Sequence, residues 1–188
     1  MDPLDAILDA LRLESAVAGI RDFGAPFGVR VRTGAVAAIH FIVSGSCTAQ
    51  LAADGASRQL GPGDAILLPH GSEHEVRDHP QRAVVDSEVL ATCPVIDGRV
   101  VFGGKGPRTA FLCGGFRFAR GGAHRLLDDL PALVVTSPSD GTSSPAMVAI
   151  QQAMAHEYGT GTAGQTAAVK ALMHAWFVAF LRTWIANQ

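Results

Sequence analysis

The sequence predicts a mainly β domain followed by C-terminal helices, and three observations carry that expectation. Upstream of about residue 78, short runs alternate apolar and polar, as in Val29-Arg30-Val31-Arg32 and Cys47-Thr48-Ala49-Gln50-Leu51. Turn-forming pieces lie between them: Gly45, Asp54-Gly55, Gly61-Pro62-Gly63 and Pro69-His70-Gly71. Short strands at close spacing with Gly/Pro turns indicate a sandwich or barrel. After about Gly122 the texture changes to apolar residues at helical spacing. Composition agrees. In 188 residues there are 21 Gly and 10 Pro, with 48% hydrophobic and 17% charged residues, which suits one turn-rich packed domain with a helical appendage.

In chain order, Asp2 and Pro3 read as a helix N-cap and first position. Leu4, Ile7, Leu8 and Leu11 then recur at helical spacing, giving a short helix that ends near Ser15. Strands are expected at Val29 to Arg32, Ile39 to Val43, Cys47 to Leu51 and Ala65 to Leu68, with another starting at His74. Residues 79 to 98 lack periodicity and read as a long connection with a helical turn near Val85 to Leu90. Two more strands follow, Arg99 to Phe102 and Thr109 to Phe118. Gly103-Gly104-Lys105-Gly106 between them lacks the GxxxxGK[ST] spacing of a phosphate loop and reads as a hairpin loop. Ser144-Pro145 starts a helix carrying Met147, Ile150 and Met154. A second runs from about Ala163 to Ala186 with a wide stripe of Val169, Leu172, Met173, Trp176, Phe177, Phe180, Leu181 and Trp184. The expected organisation is a barrel with its N-terminal helix over 1–135 and a helical hairpin over 136–188. The stripe is wider than one packing surface needs. Part of the stripe is expected to cover the barrel or the partner helix, and the remainder, on the helix of Trp176, Phe180 and Trp184, to form a homodimer face.

Charge and cysteine usage narrow the function. A net charge of -2 and a pI near 6.4 exclude nucleic-acid binding by electrostatics alone. No helix-turn-helix stands out, so DNA would be contacted only through a domain absent from this chain. Cys47, Cys93 and Cys113 are too few and too scattered for a disulfide framework. The start, Met1-Asp2-Pro3-Leu4-Asp5, is acidic where a secretory signal is basic. The most apolar stretch, Thr166 to Ile185, contains Lys170, His174 and Arg182, which argues against a membrane span. A cytoplasmic protein is expected.

The most specific stretch runs from Gly63 to Asp78. Gly61-Pro62-Gly63-Asp64 makes a tight turn, Ala65 to Leu68 a buried strand, and Pro69 and Gly71 a sharp reversal. His74 then opens a strand where it can face a barrel interior, a place suited to binding a metal or ligand. Gly63, Pro69, Gly71 and His74 in this spacing resemble the second motif of the cupin superfamily, with Asp78 where Asn is usual. The resemblance implies a jelly-roll barrel holding a metal or small molecule. The first cupin motif normally supplies His-x-His and Glu. Here Arg32 and Gly34 fall where the histidines belong and Ala38 where the Glu belongs, a departure from the metal set of cupin oxygenases and isomerases.

Over nearly its whole length the chain resembles the N-terminal sensing cupin of AraC-type transcription regulators. The stretches that carry this are Asp2-Pro3-Leu4, Ile39 to Cys47, Gly63 to His74, Phe111 to Phe118 and His124 to Pro131. The resemblance implies an effector-sensing domain that binds a small molecule, a metal ion or both. It also implies terminal helices that mediate dimerisation. A stand-alone metal-dependent cupin enzyme, an oxygenase or isomerase, is the alternative; no catalytic residue is assigned.

Four residues form the candidate site. His40 lies two positions past Ala38, so strand periodicity gives it the same inward facing. His74 faces inward by the motif, Cys113 falls mid-strand, and His124 follows on the next connection. Together they could hold Zn²⁺ tetrahedrally. The alternative is that His40 and His74 are hydrogen-bonded histidines lining an organic-ligand pocket, with Cys113 a buried small hydrophobe. His70 is expected at the barrel rim. His79, His156 and His174 are expected on the surface, and Arg30 and Arg32 as surface charge unless they face the cavity.

Overall fold

The computed structural model describes residues 14–34, 36–52, 57–118 and 128–187. Among the described residues, twelve strands precede two helices. They are β1 (Glu14–Gly24), β2 (Gly28–Val31), β3 (Ala37–Ser44), β4 (Cys47–Leu51), β5 (Ser57–Leu60), β6 (Ala65–Leu68), β7 (His74–Arg77), β8 (Val85–Asp86), β9 (Val95–Ile96), β10 (Arg99–Gly103), β11 (Arg108–Arg117) and β12 (Val134–Thr136). A 3-10 turn over Ser87–Thr92 joins β8 to β9, and α1 (Pro145–Thr160) and α2 (Gln165–Ala186) follow. One sheet has seven strands in the order β12-β6-β3-β11-β1-β10-β9 and the other five, β5-β4-β7-β2-β8. Two facing sheets with crossed connections make the jelly roll expected from the Gly63–His74 motif.

Strand parity gives the seven-stranded sheet two different faces. On β3, Ala37, Ile39 and Phe41 pack with the helices, while Ala38 and Ile42 join the barrel interior. On β6, Ala65 and Leu67 face the helices and Ile66 and Leu68 the barrel. The five-stranded sheet closes the interior with Val29, Cys47, Ala49, Leu60 and Val76.

The helices sit where the sequence placed them. Ser144 caps α1 by accepting from the Met147 N–H at 3.3 Å, with Pro145 in the first turn and Gly161 ending the helix. In α2 the aromatic stripe is spent on the barrel. Trp176 stacks on Phe180 and meets Phe41 edge-on, and Phe177 packs against Phe116. Trp176 and Phe180 are buried, so these two cannot form the expected homodimer face. Trp184 is half-buried against Phe180. The Gln151 amide on α1 accepts from Trp176 Nε1 (3.1 Å) and donates to the Gly63 carbonyl (2.9 Å), tying both helices to the turn before β6.

Three expectations are corrected. Glu14 and Ser15, read as a helix end, begin β1, which pairs with β11 from Glu14 to Gly24; sheet pairing overrides local preference there. The rest of the expected N-terminal helix lies outside the described residues. Gly103 to Gly106 is not a hairpin, because β10 and β11 flank β1 on opposite sides. The loop instead crosses the end of β1, with Gly104 and Gly106 donating to the carbonyls of Gly24 (2.7 Å) and Ala25 (2.8 Å). A Cβ on Gly104 would strike Ala25 and Pro26, so the glycines serve close backbone approach. Finally, β5, β8, β9 and β12 were not foreseen. They are two to four residues long and carry little pattern of their own.

Candidate functional site

The Pro69-Gly71 reversal delivers His74 into the barrel. Gly71 has φ +66°, and a Cβ there would collide with the carbonyls of Gly34 and Val36, so only glycine lets this turn pack on the neighbouring loop. Asp78 fastens the far end of the motif. It accepts from the Phe27 N–H (3.2 Å) and from Arg82 (2.8 and 3.1 Å), and the Arg82 hydrogen bonds hold its carboxyl below the usual range. Glu75 points to the other side of the sheet, against Arg30, Arg77 and Gln50.

Three of the four candidate residues come together as a chain. Cys113 Sγ lies 3.0 Å from His40 Nδ1, His40 Nε2 lies 2.8 Å from His74 Nε2, and His74 Nδ1 lies 3.0 Å from the Ser72 carbonyl. That carbonyl is an acceptor only, so His74 carries its proton on Nδ1 and accepts at Nε2. His40 then donates through Nε2 and accepts the Cys113 S–H at Nδ1. Every polar atom is satisfied with all three groups neutral. Burial, the neighbouring His74 and Arg21 push His40 well below the usual histidine range. Burial likewise lowers His74, and pushes the Cys113 thiol up to about 12.

This arrangement differs from the expected zinc tetrad. Cys113 meets His40 on the opposite side of the ring from His74, so one ion cannot take both Nε2 atoms and the sulfur as they stand. Among the described residues no group of three or more His, Cys, Asp and Glu surrounds a common point. His124 lies outside the described residues. As they stand, His40, His74 and Cys113 form a hydrogen-bonded relay.

His40 and Cys113 form part of the wall of a cavity of about 590 Å³ inside the barrel. Its body is apolar, with Phe23, Val29, Val76 and Phe111. Its outer side is the strap from β8 to β9, which contributes Ser87, Leu90, Ala91, Cys93 and Val95. The volume falls within the range of small-molecule pockets. Arg32 reaches the rim but is paired with Glu73 (2.8 Å) and Asp86 (2.6 Å); Arg30 pairs with Glu75 (2.9 Å) and Glu73 (3.3 Å). His70 is exposed and bonds the Leu130 carbonyl at 2.9 Å. His79 and His156 are exposed, and His174 is half-buried. Cys47 is buried and Cys93 half-buried.

The sequence reading missed Arg21, which lines the cavity from β1 beside Phe23. No alternation marked it, since each face of Ile20-Arg21-Asp22-Phe23 carries one charge and one apolar residue.

Comparison with known proteins follows the same lines. A family model described as cupin matches residues 2–186. A Streptomyces lividans protein named as an AraC-like transcription regulator is 30% identical over 161 residues, 83% of this chain and 52% of that protein. The chain therefore spans about half the length of this curated relative. Among solved structures, apo ToxT of Vibrio cholerae aligns over 93% of this chain and 55% of its own, at 9% identity and a TM-score of 0.45. YhaK of Escherichia coli aligns over 66% and 40%, at 12% identity and 0.35. With its sheets, its Gly63–His74 motif and a family match over almost every residue, the chain belongs to the cupin family.

Proposed function

We propose that this chain is the effector-sensing domain of an AraC-type transcription regulator and binds a small organic molecule inside the barrel. The cavity between the His40–Cys113 wall and the strap is the observation that carries this reading. The likeness to the AraC-like regulator supports the regulatory context. Signalling would run through the seven-stranded sheet, whose inner face lines the cavity and whose outer face holds α1 and α2. Such a switch requires a ligand with different affinity for two states of that sheet-helix packing.

The same reading includes pairing of two chains through the last helix. With Trp176 and Phe180 buried, that role falls to the final turn, where Trp184 is half-buried and Ile185 exposed. A Trp184→Glu variant should then run as a monomer in light scattering; a retained dimer mass would place the interface elsewhere.

The cavity reading is tested by a thermal-shift screen of small organic compounds, repeated on Val100→Trp. Val100 lines the cavity and is half-buried, so an indole there should fill the space and abolish stabilisation by true cavity ligands. Compounds that stabilise both proteins equally would bind elsewhere and sink the proposal.

A further inference from the structure

Among the described residues, the cavity holds a cation with no carboxylate partner. Arg21 stands on β1 with its side chain on the cavity wall, half-buried, next to His40 and Cys113. No Asp or Glu among the described residues lines the cavity. Among the described residues no carboxylate pairs with Arg21, whereas Arg30, Arg32, Arg77, Arg82 and Arg108 each have one. His40 is neutral where it stands and cannot share the positive role. A guanidinium held half out of water is stabilised by an anion, and its planar fork matches a carboxylate at two points.

We propose, on the cavity reading above, that the effector is an organic monocarboxylate with an apolar body, its carboxylate held by Arg21. The rest of the ligand lies among Phe23, Val29, Val76 and Phe111, where rings and alkyl groups lose water. A dianion or a sugar finds no second cation and few free polar partners there, because Arg32 is already paired and the His40–Cys113 relay is internally satisfied.

The position of Arg21 also links the ligand to the helices. The register of β1 on β11 shifts between Val17 and Gly19, a bulge that leaves Ala18 unpaired just before Gly19. The Tyr158 hydroxyl of α1 occupies the space that a Gly19 Cβ would take, and Arg21 Nη1 lies 3.5 Å from that same point. A carboxylate that repositions the guanidinium acts within a side chain's reach of the end of α1.

The test uses 4-butylbenzoate and its neutral analogue 4-butylbenzyl alcohol, titrated by calorimetry at pH 7.5 into the wild type, Arg21→Gln and Arg21→Lys. The benzoate should bind the wild type at least about tenfold more tightly than the alcohol, the effect of one charge-assisted contact. Arg21→Gln should erase that preference, with an unchanged far-UV circular dichroism spectrum and urea midpoint showing that the variant is folded. Arg21→Lys should keep part of the preference. Equal affinities in the wild type, or a preference that survives Arg21→Gln, would overturn the role of Arg21 and leave the cavity reading standing. Binding of neither probe would overturn both.

Discussion

The two faces of the seven-stranded sheet are built from the same strands and do opposite things. The face under the helices is packed solid. Ile39, Phe41, Leu67, Leu112 and Phe116 meet Met173, Trp176, Phe177 and Phe180, all of them buried. The face inside the barrel leaves about 590 Å³ open and places His40, Cys113 and Arg21 around it. Their covers differ in the same sense. α2 buries six side chains, whereas the 3-10 turn of the strap buries none, and Val85, Val89, Val95 and Ile96 there are exposed. The difference teaches that period-two alternation can assign stability to one set of residues and binding to the set between them. A filled face resists change, because close-packed side chains lose contacts with any displacement. An open face with a loosely held cover can admit a guest and close over it.

Three measurements would break or sharpen that contrast. The largest effect is expected from Trp176→Ala on the filled face. It opens a cavity under α2 and leaves the Gln151 side-chain oxygen without its Trp176 donor, a loss of about 3–5 kcal/mol in urea denaturation. A loss below about 1 kcal/mol would mean that the helices are loosely attached and that the two faces do not differ as described.

The second effect is electrostatic and belongs to the inner face. His40 and His74 are held below the usual histidine range by burial. The unfolded chain takes up protons near pH 6.5, which the folded state refuses. Stability is therefore fully present above about pH 6.5 and falls as pH drops toward the lowered folded values. The slope is at most about 1.4 kcal/mol per pH unit for each histidine. His40→Gln should flatten the decline between pH 6.5 and 5, read from denaturation midpoints. An unchanged slope would show that His40 is not kept neutral in the fold.

The smallest effect is expected on the strap. Val95→Ser alters an exposed side chain on a two-residue edge strand and should shift stability by no more than about 0.5 kcal/mol. A larger loss would make the strap part of the fixed core and remove the contrast with α2.

Much of this architecture could be read in advance. The strands around Val29, Ile39, Cys47, Ala65, Arg99 and Thr109 and both helices carried enough periodicity to be placed. The Gly63–His74 spacing pointed His74 inward, and counting by two from Ala38 did the same for His40. The site was only half legible. Parity says which way His40, His74 and Cys113 point, and says nothing about which ring atom meets which neighbour. Only the fold shows that three of the four stand in a hydrogen-bonded row. The aromatic stripe was only partly legible for a related reason. Helical spacing shows that Trp176, Phe180 and Trp184 share one face, and cannot show that Phe41 and the edge of the barrel already cover two of them.

By itself the sequence determined the β-then-α order, the turn that needs Gly71, the inward histidines and the weak overall charge. All are set by spacing, backbone sterics and composition over a few residues. The tertiary structure alone decided that Arg21 stands beside His40 with no carboxylate partner among the described residues, that the strap forms the outer wall of the cavity, and that α2 sets most of its aromatic residues against the sheet. Each of these depends on groups far apart in the chain, Arg21 with Cys113 or Phe41 with Trp176. Only packing sets their distances and the charges left without partners.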